Sequence, residues 1–350
     1  MKAVLVIVTI LALDAAALQA GVDPIQVASP PSSTPSLVSV TQAIPGATAI
    51  DVFRHPSGLY VDAKRGAFLV ADRGNQRIVL FEESGRCRGS ISFRDPLKGE
   101  ALGEPVTMAT DAAGRLFVVG AGQAEVNVLT SRGSRLGYLE SPVPDESRSF
   151  PRAVDIGAGG SIYILYGGPL AGVVVMDQAG KIVSGSGLML GTEPIESALS
   201  LAVNEAAGLM VVVSPNSEKQ VRVCGLDGRQ MNAFGPHGEG AGTLSLASHA
   251  AWGPENTIWI TDTLRHSIAV FDAEGNHLGR IGGFGRDLGQ FNFPVACGFL
   301  ADGRLIVLER GSARCQVLEV EMVKPDLSVS TLTKHVSATT DIRQSGGDTQ

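Results

Sequence analysis

Three sets of side chains in this chain could carry chemistry. His55, His249 and His266, three of the six histidines, could in principle converge as neutral imidazoles on a zinc ion. The set is partial, so no metal and no cofactor is expected. Asp62, Asp111, Asp155 and Asn204 each follow an apolar run and could offer oxygen ligands to calcium. Their recurrence after every such run reads instead as solvated turn carboxylates. The third set comprises Asp72, Arg73, Arg77, Arg265, His266, Arg310 and Arg314, accompanied by Glu218, Lys219 and Glu309. It would form a positively biased surface on an acidic chain, and it is the expected ligand-binding region. Other chemistry lacks its motif: there is no Gly-x-Ser-x-Gly elbow, His-Glu-x-x-His pair or Cys-x-x-Cys-His site. The stretch GGFGRDLGQF has no following helix to present amides to a phosphate.

What would position these groups is a repeat. Runs of matching apolar pattern start at Ala67, Arg115, Ser161, Gly208, Thr257 and Arg304, at intervals of 48, 46, 47, 49 and 47 residues. A second series starts at Arg77, Glu125, Gly172, Gln220, Ser267 and Cys315, at intervals of 48, 47, 48, 47 and 48. A third precedes each unit, from Gly58, Thr107, Ala153, Ser200, His249 and Ala296. A fourth run follows turn glycines at Gly85, Gly133, Gly180, Gly228 and Gly275. The runs are short, rich in Val, Ile and Leu, and bounded by Gly, Asp and Pro, which makes them strands. Four strands per unit of about 47 residues is the pattern of a propeller blade. The expected fold is all-β, a six-bladed propeller of four-stranded antiparallel blades. The sixth unit lacks its turn glycine, so SLVSVTQA from Ser36 is expected to supply its outer strand and close the ring. DLSVST from Asp326 is the alternative donor.

Two stretches resemble the NHL repeat of six-bladed propellers. Asp72, Asn75, Arg77 and Ile78 match its Asp-x-x-Asn-x-Arg-Ile segment, and Gly285, Gly289, Gln290, Phe291 and Pro294 match its Gly-rich Gln-Phe-x-x-Pro segment. The resemblance covers about residues 36–323 and thins in repeats two to four. It implies a fold and a place for a site, the face formed by the loops from strand two to three and from strand four to the next strand one. Members and relatives of the family include binding scaffolds, a zinc-dependent amidating lyase and calcium-dependent lactonases, so the resemblance implies no single reaction.

Residues 1–20 read as a cleavable signal peptide: Lys2, an apolar run from Ala3 to Leu13, then small residues to Ala20. The run is too short for a membrane span. Residues 21–35 read as a Pro/Ser linker and 324–350 as a polar disordered tail. A net charge of -7 argues against a nucleic-acid partner. Cys224 falls in register with Phe81, Leu129, Met176 and Phe271 and is a core position, while Cys297 and Cys315 lie two strands apart, too far for a disulfide. The resulting expectation is a monomeric, secreted or periplasmic propeller acting as a non-enzymatic binding or assembly scaffold for a protein, peptide or glycan on its loop face. The alternative is a metal-dependent lyase or lactonase with a site at the channel mouth.

Overall fold

The computed structural model describes residues 34–45, 52–94, 99–142, 148–183 and 197–323. The expected signal segment, most of the linker, the tail and the DLSVST run lie outside them. Among the described residues the regular elements are strands and three-residue 3₁₀ turns.

Strand β1 (Thr34–Pro45) comes first. Blade one follows with β2 (Pro56–Asp62), β3 (Ala67–Asp72), β4 (Arg77–Glu82) and β5 (Cys87–Ser92), and blade two with β6 (Pro105–Thr110), β7 (Leu116–Gly120), β8 (Val126–Leu129) and β9 (Arg135–Leu139). Blade three contains β10 (Phe150–Ile156), β11 (Ile162–Gly167) and β12 (Gly172–Met176). Blade four holds β13 (Ser200–Asn204), β14 (Leu209–Val213), β15 (Lys219–Gly225) and β16 (Gln230–Pro236). Blade five holds β17 (Ala247–Trp252), β18 (Ile258–Asp262), β19 (Ser267–Phe271) and β20 (His277–Gly282). Blade six holds β21 (Pro294–Phe299), β22 (Leu305–Glu309) and β23 (Arg314–Val323), with β1 paired antiparallel along β23. Blades one to five are antiparallel meanders, and blade six is a three-stranded antiparallel meander with β1 added at its outer edge. Blade three shows three strands among the described residues, plus a bridge from Met176 to Ile182.

The first strand of each blade contacts the first strand of the next, and β21 contacts β2, so six blades complete a ring. The reason is visible in the middle strands. On β3, Phe68 and Val70 face blade six, whereas Leu69 and Ala71 face blade two. On β14, Met210 and Val212 face blade three and Val211 and Val213 face blade five. A strand alternates its side chains between two faces, and here both faces are covered, so the run is apolar throughout. Six separate clusters result, one per blade junction. The register positions Phe81, Leu129, Met176, Cys224 and Phe271 are all buried in them. All four cysteines are free thiols.

The inner strands carry a recurrent irregularity. Register shifts fall between Pro56 and Gly58, Pro105 and Thr107, Pro151 and Ala153, Ala247 and His249, and Pro294 and Ala296. A bulge there turns one residue out of the ladder at the loop face. Ser57 is such a residue, and its Oγ donates to the carbonyls of Pro105 and Val106 at 3.1 Å. The next residue, Gly58, lies so close to blade two that a Cβ would stand 2.3 Å from the Val106 oxygen.

G58A should therefore lower stability by about 2 kcal/mol through overpacking, read as a fall in Tm by circular dichroism. An unchanged Tm would rule out a tight junction between blades one and two. We propose in addition that the pairing of β1 with β23 holds the ring shut. Deleting residues 34–45 should then lower Tm further than G58A does, and a deletion with parental Tm would show that the apolar junction between blades six and one suffices.

Candidate functional site

The loop face is built on a buried acid at the end of the second strand of three blades. Asp72, Asp262 and Glu309 are each fully buried. Asp72 accepts the Arg54 amide at 2.6 Å, Asn75 Nδ2 at 2.8 Å and Arg77 Nε at 2.7 Å. Glu309 accepts the Asn292 amide at 2.9 Å, Arg314 Nε at 2.7 Å and Gln316 Nε2 at 2.7 Å. Asp262 accepts the amides of Ser245 and Leu246 at 3.0 and 2.9 Å and Arg280 Nη1 at 3.1 Å. One carboxylate thereby joins the loop entering from the preceding blade to strand three in blades one and six, through Arg77 and Arg314, and to strand four in blade five, through Arg280. A buried charge is tolerated because both oxygens of each carboxylate meet donors.

This arrangement sorts the seven residues expected to bind a ligand. Asp72, Arg77 and Arg314 belong to the anchors just described. Arg265 donates to the Thr243 carbonyl at 3.1 Å and to Thr243 Oγ1 at 3.0 Å, and also bonds the Gly238 carbonyl. It holds the loop that leaves blade four. His266 has a left-handed backbone, φ 54°, at the end of its loop, and its Nδ1 accepts the Phe293 amide at 3.1 Å. Arg73 and Arg310 come together at the mouth of a cavity.

That cavity has a volume of about 280 Å³ and is lined by His55, Ser57, Arg73, Gly74, Glu104 and Arg310, contributed by blades one, two and six. The sequence explains the pairing of the two arginines. DRGNQR from Asp72 and ERGSAR from Glu309 are the same loop in two blades, with Arg73 and Arg310 at the second position and a left-handed residue, Gln76 or Ala313, at the fifth. That internal match was legible in the sequence, although the family pattern, which asks for Asp and Asn, hides it. Arg73 is paired with Glu104 at 2.6 Å. The Arg310 guanidinium has no hydrogen-bond or ion-pair partner among the described residues, while its amide donates to the Phe293 carbonyl at 2.9 Å. Partial burial and the nearby Arg73 charge both draw its pKa below the ordinary arginine value.

The oxygen-bearing side chains considered for calcium are engaged elsewhere. They are not solvated, as the sequence suggested, but tied into turns and blade junctions. Asp62 holds the Arg65 amide and guanidinium and accepts Thr110 Oγ1 at 2.6 Å. Asp111 holds the Arg115 amide and Nε. Asn204 accepts the Ala207 amide at 3.1 Å and donates to Asn256 in blade five. Asp155 accepts the Val203 amide of blade four at 2.8 Å and the Ile156 amide at 2.8 Å. Among the described residues no group of three or more His, Cys, Asp or Glu side chains is placed to hold a metal ion, and His249 sits in the 5–6 blade junction, its Nδ1 facing the Cys297 amide at 3.5 Å.

Asp155 and His249 titrate in opposite senses. Burial pushes the Asp155 carboxyl up to about 6, with its two amide bonds opposing and the Glu205 charge adding. Burial draws the His249 imidazole down to about 4. The raised Asp155 favours folding in acid, and that contribution is lost as pH climbs through 6. The depressed His249 favours folding above its unfolded value of 6.5, and that contribution is lost as pH falls toward 4. The two slopes oppose each other between pH 4 and 6. D155N should accordingly steepen the acid loss of Tm, and H249N should flatten or reverse it. Parallel Tm profiles for the parent and both variants would refute this assignment.

The comparisons agree with the architecture. The NHL repeat model matches residues 53–81, within blade one of the six-bladed ring. The fold is similar to that of the calcium-binding protein regucalcin from Agrobacterium tumefaciens, with a TM-score of 0.57 at 13% identity over 81% of this chain and 95% of that one. It is similar to a gluconolactonase from Xanthomonas campestris, with a TM-score of 0.58 at 14% identity over 86% and 99%. A streptogramin B lyase gives a TM-score of 0.54 at 13% identity over 82% and 98%. At these identities the likeness is one of fold. No curated protein sequence matches the chain. Among the described residues no helix is long and apolar enough to cross a membrane.

Proposed function

We propose that this propeller is an exported, non-enzymatic binding scaffold, working as a monomer in the periplasm or outside the cell, that recognises a protein, peptide or glycan on the loop face. The observation that carries the reading is the cavity between blades one, two and six, where the Arg310 guanidinium has no counter-ion among the described residues and stands beside the Arg73–Glu104 pair. A rigid ring that presents an unsatisfied cation in a concave site is suited to capture a partner group. The acids that a metal-dependent reaction would require are meanwhile occupied by backbone amides and arginines. Export rests on the character of residues 1–20.

The test is elemental mass spectrometry of the purified chain after gel filtration without chelator, followed by capture of envelope proteins and glycans on immobilised parent and R73Q/R310Q chains. A metal-free monomer whose captured partner is lost with the two substitutions is the expected result. Close to one equivalent of zinc or calcium, lost on H55A, would replace this reading with the lyase or lactonase.

A further inference from the structure

Beside the cavity, blades five and six expose apolar side chains that no core covers. Phe284 is 71% and Phe293 41% exposed, while Phe291 between them in sequence is fully buried. His266 stands edge-to-face against both exposed rings, each with its centroid 4.7 Å away. The bond from the Phe293 amide to His266 Nδ1 fixes that imidazole between them. Leu264 and Leu288, on the two adjoining loops, are each more than half exposed. Exposed apolar side chains gathered at one place mark an interaction surface.

This rim is continuous with the cavity. The Arg310 amide donates to the Phe293 carbonyl and the Gly311 amide to the Asn292 carbonyl, both at 2.9 Å. The loop carrying the unengaged guanidinium and the loop carrying an exposed phenyl ring are therefore bonded to each other through their backbones.

We propose that the cavity and the rim are two halves of one peptide-recognition site, taking an acidic side chain at Arg310 and a neighbouring aromatic side chain on Phe284 and Phe293. The proposal rests on the scaffold reading and names its ligand class. Charge complementarity selects the first half: Glu104 is already neutralised by Arg73 at 2.6 Å, so the remaining cation asks for one carboxylate, to which a guanidinium donates two parallel N–H bonds. The second half presents two exposed phenyl rings, whose face and edge contacts favour a second aromatic side chain. An anionic bilayer is disfavoured by the chain's net charge of -7. An aromatic and an acidic residue adjacent in a flexible peptide, whose backbone turns between them to bring both side chains onto one face, would satisfy both halves at once.

The experiment is fluorescence anisotropy with a fluorescein-labelled, C-terminally amidated nonapeptide bearing a central Phe-Asp pair in a Gly-Ser background, compared with its Phe-Asn and Ala-Asp counterparts. The full chain should bind the Phe-Asp peptide saturably and each counterpart at least tenfold more weakly. R310Q should erase the preference for Asp over Asn, and F284S the preference for Phe over Ala, with circular dichroism showing both variants folded. Absence of saturable binding, or preferences that survive both substitutions, would overturn the proposal. So would tighter binding of an oligogalacturonate or of phosphatidylglycerol vesicles. If the peptides fail while R73Q/R310Q still loses its captured partner, the ligand class falls and the scaffold reading stands; if both fail, both fall.

Discussion

A four-stranded sheet with two apolar faces cannot be left half covered, and everything else in this molecule follows from that. The alternation seen on β3, with Phe68 and Val70 to one side and Leu69 and Ala71 to the other, commits each blade to two neighbours. With ends that would otherwise expose a face, a row of such sheets gains by curling until the first meets the last. The junction between blades six and one is packed like the other five, with Phe68 and Phe81 stacked at 4.9 Å and Ile306 and Leu308 in the same cluster. The loop face inherits its rigidity from this packing.

Polar groups then refine what burial alone leaves loose. Ser57, Ser200, Ser248 and Trp252 all bond backbone groups of an adjoining blade's inner strand. The buried acids Asp72, Asp262 and Glu309 do the same for the loops. These bonds add modestly to stability apiece, yet leaving one carboxylate unmatched would be expensive. Their effect is to fix loop positions, so that side chains not used as anchors, Arg310 above all, are presented in one geometry.

The fold could be read from the sequence because a repeat of about 47 residues states the same physical requirement six times. The site was only partly legible. Its charged residues stood out as a group, but type and position do not separate a cation that holds a loop from one that faces solvent. Arg77 and Arg310 differ in one respect: Arg77 lies five residues after a buried acid and folds back on it, while Arg310 directly follows one and points away. The exposed rings were not singled out, since Phe284, Phe291 and Phe293 fall in one glycine-rich loop where no regular period tells which of them is covered.

The junction between the first and last blades also bears on how the chain must come to its final shape. Blade one is the first blade to be synthesised, and the face that carries Phe68, Val70 and Phe81 has as its cover residues between Val295 and Val317. That partner is more than two hundred residues away along the chain. For the whole period of elongation, five blades can be assembled with a sticky surface still open at each end of the arc. Quality control for such a molecule has one decisive moment, when the arc snaps into a circle, and a chain stopped short of β22 is a ready seed for aggregation rather than a slightly smaller propeller.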